Sequence, residues 1–320
     1  MFDRRRLMLA AGAGLVAPPA FAQDAPPPEE PPISEAALDV LPNLVTRMAV
    51  NVEINGHTGN TFVVDTGANR TAISTELAAD LGLPPGPEVL VNGVTAAVRT
   101  PTVRVQRLFV GETVFRDLLM PVIPYSRLGV HGLLGVDVLG RFAVTFDVRA
   151  SQLRLRRRGV GLSYAGGSRL DDQVTIDARQ RFGQLTLIQV SADGVPVQAF
   201  IDSGSQYSIG NMALFNSVAT RRPDINDRRW TVPVIGATGE HVMGELAVLR
   251  QIRMGGITLN ELPTVFCDLH AFRIWRMEDQ PAMLFGADIL RLFDSVTVDF
   301  PEREVRLGSP TRTRSGAAQR

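Results

Sequence analysis

Residues 61–74 read TFVVDTGANRTAIS: an apolar run that ends in Asp65, a small hydroxyl residue and Gly67. Residues 198–210, QAFIDSGSQYSIG, repeat the pattern, with Ile201 running into Asp202, Ser203 and Gly204. One Asp-Thr/Ser-Gly is weak evidence, because three common residues meet by chance. Two copies with the same flanks are a duplication, and the flanks here do repeat. Upstream, VEINGHTGNTFVVDTG (52–67) and VSADGVPVQAFIDSG (190–204) each read as strand, turn and strand leading into the Asp. Downstream, GLLGVDVLGRFAVTFDV (132–148) lines up with MLFGADILRLFDSVTVDF (283–300), and each is followed by a strand ending in Arg-Leu, QLRL at 152–155 and EVRL at 304–307. Between these landmarks each half carries a Gly-centred hairpin signal, LVNGVTAAV around Gly93 and VIGATGEHVMGEL around Gly239.

Short runs of Val, Ile, Leu, Phe and Thr separated by Asn-Gly, Asp-Gly and Gly-Gly pairs predict an all-β fold. Three segments have helical character: 75–81, 137–142 and 288–293. Asp137 and Asp288 open the last two and read as first-turn acids favoured by the helix dipole. The expected organisation is a first lobe over 43–158, a second over 172–308, and a disordered tail over 309–320.

At this point the residues resemble the retropepsin-like aspartic protease family, with the whole chain similar to a fused pair of such units, as in pepsin-like enzymes. The resemblance implies two pseudo-symmetric β-barrel lobes and a catalytic pair, Asp65 and Asp202, that activates water for peptide hydrolysis. Two neighbouring carboxylates cannot both ionise, so sharing one proton supplies a base and an acid together. The resemblance also implies that Thr66 and Ser203 brace the two loops and that Gly67 and Gly204 let them turn tightly. Gly135 and Gly286 would lie where an apolar segment crosses behind each loop, and the hairpins at Gly93 and Gly239 would be flaps over an extended polypeptide substrate. Neither hairpin carries a Tyr, which separates both from pepsin-like flaps. The second motif departs further from the family pattern, with Gly210 where Ile73 stands in the first. An aspartic endopeptidase is therefore the expected function, and a peptide-binding pseudoprotease with the same cleft is the alternative.

The rest of the chain bounds these readings. With 33 basic and 33 acidic residues there is no net field to favour nucleic acid or an anionic membrane. His57, His131, His241 and His270 lack ligand spacing, so no metal or other cofactor is expected. The single Cys267 lies in an apolar run and reads as a buried small hydrophobe, and it can form no internal disulfide. Arg4–Arg6, an apolar stretch from Leu7 to Val16 and an Ala-x-Ala ending at Ala22 read as an export signal over 1–22, possible in a twin-arginine form, with a retained anchor as the alternative. The stretch is too short and too interrupted to span a bilayer. A Pro-rich linker over 23–42 would follow, and the mature protein would be a periplasmic or secreted monomer, its two lobes forming an intramolecular pseudo-dimer. Trp230 reads either as a pocket wall or as a core or loop anchor.

Overall fold

The computed structural model describes residues 6–8, 36–39, 48–157, 173–181, 184–227 and 229–310. Most of the export signal, most of the linker, the junction at 158–172 and the tail beyond 310 lie outside the described residues. Strands make up 55% of the described residues and helices 15%, so the all-β class holds.

Each half closes a circuit of six strands. In the first lobe the order is Ala97–Val110, Ala49–Ile54, His57–Val64, Gly132–Leu134, Ala72–Ser74 and Thr113–Ile123, and the last pairs back with the first. In the second it is His241–Met254, Ile257–Phe266, Ile209–Gly210, Ala282–Phe285, Val195–Ile201 and Gln184–Ala192, closed in the same way. Closure removes the exposed edges that an open sheet of this size would carry. Period-two burial follows from the sequence: Val50, Val52 and Ile54 point inward with Phe62 and Val64, and so do Ala199, Ile201, Met283 and Phe285 in the second lobe.

The lobes share one sheet. Phe142–Asp147 and Ser295–Asp299 pair antiparallel, with Thr145 opposite Thr297 and their hydroxyls 2.9 Å apart. These two threonines hold the same place in the repeated Val-Thr-x-Asp, so the pseudo-twofold axis passes between them. Ala36–Asp39, inside the stretch expected to be linker, forms a strand against Gln152–Leu155 at the end of this sheet. Arg6–Met8 pairs parallel with Leu90–Asn92.

Helices are short, and two of the three expected ones are brief turns at Val136–Leu139 and Ala287–Leu290. Thr75–Asp80 is capped by Ser74, whose hydroxyl accepts from Leu77 N at 3.1 Å. Its counterpart, Met212–Arg221, is the longest helix among the described residues and was not foreseen. Asn211 caps it, accepting from Leu214 N at 2.9 Å. The signal was present: Ser74 and Asn211 both stand nine residues after the motif Asp and both are N-cap formers. Trp230 neither anchors a core nor lines the cavity described below; it is 58% exposed at the start of a strand.

Candidate active site

Both motifs end a central strand and turn sharply out of the barrel. Asp65 N donates to Leu134 O and Asp202 N to Phe285 O, each at 3.0 Å, which ties each motif to the apolar segment behind it. The inner oxygen of each carboxyl is then cradled by two backbone donors. Asp65 Oδ1 accepts from Gly67 N and Ala68 N at 2.9 Å, and Asp202 Oδ1 accepts from Gly204 N and Ser205 N at 3.1 Å. The loops are also bolted to each other. Thr66 N donates to Ser203 Oγ at 3.0 Å, and Ser203 N to Thr66 Oγ1 at 3.1 Å. The hydroxyls continue across the axis, Thr66 Oγ1 to Ile201 O at 3.2 Å and Ser203 Oγ to Val64 O at 2.8 Å. Four reciprocal bonds between residues about 137 positions apart leave each loop little freedom to move without the other.

The structure thus brings Asp65 and Asp202 together at the bottom of the interlobe cleft, both shielded from solvent. The two carboxyls are close enough for the negative charge of Asp65 to act on Asp202. Two negative charges this close in a buried site repel each other, which favours one proton on the pair. Burial pushes the Asp202 carboxyl well above the ordinary carboxylate range, and the negative charge of Asp65 adds to it; the Ser205 and Gly204 N–H groups oppose the shift.

Gly135 and Gly286 sit where expected, behind the loops. A methyl on Gly135 would lie 2.8 Å from Arg70 N and 2.7 Å from Arg70 O, and one on Gly286 would lie 2.6 Å from Tyr207 C and O. Arg70 and Tyr207 each stand five residues after their Asp, so the close approach is the same on both sides.

Asp137 and Asp288 do more than decorate a helix start. Asp137 Oδ1 accepts from Thr71 N and Thr71 Oγ1, both at 2.8 Å. Asp288 accepts from Ser208 N at 2.9 Å and Ser208 Oγ at 2.7 Å. The same hydroxyls accept from Gly135 N and Gly286 N, at 3.1 and 3.0 Å. Each acid therefore pins the far end of its Asp-containing loop to the segment behind it. Both carboxyls are raised by burial, an effect their hydroxyl and amide partners only partly offset. The sequence carried this signal too, a hydroxyl residue six positions after each motif Asp.

The hairpins at Gly93 and Gly239 cross over the cleft and meet. Gly93 opens the turn between Pro85–Asn92 and Ala97–Val110, with its N–H 2.7 Å from Ala96 O. Gly239, at φ +86°, closes the turn between Trp230–Ile235 and His241–Met254. Thr95 Oγ1 of the first donates to Glu240 O of the second at 3.0 Å. Each tip also enters the opposite lobe. Val94 is buried in the second lobe's cluster with Phe272 and Trp275, and Ala237 in the first lobe's cluster with Leu128 and Leu133. Beside the dyad, under the second hairpin, lies a cavity of about 590 Å³ walled by Val232, Val234, Leu246 and Val265, with Gly204–Tyr207 along its floor.

Among the described residues no group of His, Cys, Asp or Glu could hold a metal ion. No helix among them is long and apolar enough to cross a membrane. Burial pushes the Cys267 thiol up to about 12, as expected of an inert packing residue.

Comparison with known proteins agrees with this geometry. The aspartyl protease family model matches residues 50–138 and 188–289, more than half of the chain and both motifs. Protein DDI1 homolog 1 of Homo sapiens is 34% identical over 118 residues, covering 36% of this chain and 26% of that protein. Protein DDI1 homolog 2 of Danio rerio is 30% identical over 152 residues, covering 45% and 33%. The chain spans only about a quarter to a third of the length of these curated relatives. The aspartic proteinase from Irpex lacteus superposes with a TM-score of 0.54 at 12% identity, over 88% of this chain and 99% of that one, so the likeness there is of fold. The chain belongs to the retropepsin-like aspartyl protease family.

Proposed function

We propose that the protein is an aspartic endopeptidase that hydrolyses an extended polypeptide with Asp65 and Asp202 as its catalytic residues. The observation that carries this reading is the pair of buried carboxyls, each with one oxygen taking two backbone donors, and with Asp202 raised by burial and by the charge of Asp65 beside it. Such a pair holds one proton across a broad pH range. The ionised member takes a proton from an attacking water while the neutral member gives its proton to the scissile carbonyl oxygen. The tetrahedral adduct then collapses, with a proton delivered to the departing amine. The crossed hairpins keep bulk water from this step once substrate is seated.

Cleavage of unfolded polypeptides at acidic to neutral pH is expected, with inhibition by a statine-type peptide. Asp65→Asn and Asp202→Asn should each lower kcat/KM by at least about 10³-fold, since loss of either group removes the acid or the base. Full activity in either variant refutes the reading. Peptide binding with no turnover in the unmodified protein would instead identify the pseudoprotease. The Arg4–Arg6 cluster, the apolar stretch and the Ala-x-Ala at residue 22 support export; recovery of protein beginning at Gln23 from outside the cytoplasm is the expected result, and an intact N-terminus in the cytoplasm counts against it.

A further inference from the structure

The cavity beside the dyad is apolar on its walls, and no Asp or Glu lines it. One charged side chain does, and it comes from the other lobe. Arg127 stands in the short helix Tyr125–Leu128 and reaches under the second hairpin. Its Nη1 donates to Thr238 O, and its guanidinium packs against Gly239, where a methyl would fall 2.5 Å from Cζ and Nε. The hairpin therefore holds the guanidinium at one place and angle while using only part of its five-donor fork. Arg127 makes no ion pair with any described residue. An oriented guanidinium without a counter-charge, on the rim of an apolar cavity, is built to receive a carboxylate.

Docking the hairpin does not by itself explain an arginine here. The pseudo-symmetric contact on the other side docks Val94 O onto Ala271 N at 3.1 Å and places Asn92 Oδ1 at 3.1 Å from His270 Nε2. One hairpin is thus seated on the opposite helix with no guanidinium, and the cation is specific to the side that holds the cavity.

We propose that Arg127 is a specificity-determining residue, selecting polypeptides that carry a carboxylate one or two residues from an apolar side chain lodged in the cavity. The carboxylate is either an Asp or Glu side chain or the chain's own C-terminus. This rests on the reading of the cleft as a polypeptide site, so the test separates binding from cleavage.

The Asp202→Asn chain, which retains the cleft, is titrated by fluorescence anisotropy with matched peptides bearing one Leu or Phe anchor. One set varies Glu, Gln and Lys beside the anchor; another compares a free C-terminal acid with its amide. The Glu peptide should bind roughly tenfold tighter than the Gln peptide, and the Lys peptide weaker than both, with the spread shrinking at high salt. A free-acid preference in place of the Glu preference identifies the chain terminus as the source. Adding Arg127→Met should bring the acid-to-neutral ratio to about one, while Arg127→Lys should keep part of it. A ratio near one in the parent, or a ratio that survives Arg127→Met, overturns the proposal. If the wild type cuts no peptide yet the ratio behaves as described, the peptidase reading fails and this one stands. If it cuts well with no acid preference, the reverse holds.

Discussion

Gly204 shows how tightly the two Asp-containing loops are set against each other. A methyl placed there would come within 2.5 Å of all three carboxyl atoms of Asp65, across the pseudo-twofold axis. What it meets is a side chain that can swing away, and the swing would carry Asp65 out of register with Asp202. Gly204→Ala is therefore expected to fold and to lose about 100-fold or more in kcat/KM, the cost of a displacement near 1 Å at a reacting centre. Gly135→Ala differs in kind, because its methyl would meet the backbone of Arg70, which cannot move aside. That variant should lose thermal stability before activity per folded molecule. Parallel melting curves and active-site titration check the contrast, and equal loss of both properties in the two variants would refute it. Asp137 and Asp288 act at the same scale, each holding the end of a loop whose beginning carries a carboxyl of the pair.

At the scale of elements, the crossed hairpins decide access. Both dyad carboxyls are shielded from solvent, and the tips lie in the opposite lobes, so opening the cleft over the dyad requires Val94 and Ala237 to leave their clusters. Gly93 and Thr238 face each other where the turns meet, with the Gly93 methyl position 2.7 Å from Thr238 Oγ1. A Gly93→Cys, Thr238→Cys double variant should therefore oxidise to a bridge that locks the hairpins. Cleavage should be lost on oxidation and return with reductant, while the buried Cys267, its thiol raised to about 12, takes no part. Cleavage at the unmodified rate after complete oxidation would show that the hairpins need not part. The hairpins themselves were legible in the sequence, because a Gly-centred turn between alternating strands is local information. Their crossing was not. It rests on contacts such as Thr95 with Glu240, 145 residues apart, and no short-range pattern encodes which cluster a tip enters. Arg127 escaped notice for the same reason, since its role depends on a hairpin more than 100 residues away. The lobes and the dyad were legible because the duplication wrote each local signal twice, whereas the Met212–Arg221 helix sits where the second copy has grown beyond the first.

At the scale of the molecule, the duplication places one acid in each lobe and a continuous sheet, with Thr145 against Thr297 at its centre, fixes the lobes to each other. Function then works against stability at the point where they meet. The folded Asp202 carboxyl titrates well above its ordinary value of 3.8, first because it is buried and then because Asp65 is beside it. Its folded form binds the proton more tightly than its unfolded form does. The stability it contributes is fully present below the unfolded value and is lost as pH rises through the folded one. The same rise strips the proton that the proposed reaction hands to the carbonyl, so the alkaline limb of kcat and the loss of stability should fall in one pH window. Asp202→Asn removes that titration while its side-chain oxygen can still accept from Gly204 and Ser205. The inactive variant should therefore match or exceed the wild type in urea unfolding, by a margin that widens from pH 4 to pH 8. A margin independent of pH, or one that narrows as pH rises, would mean that the dyad proton is not held by burial and by the neighbouring charge.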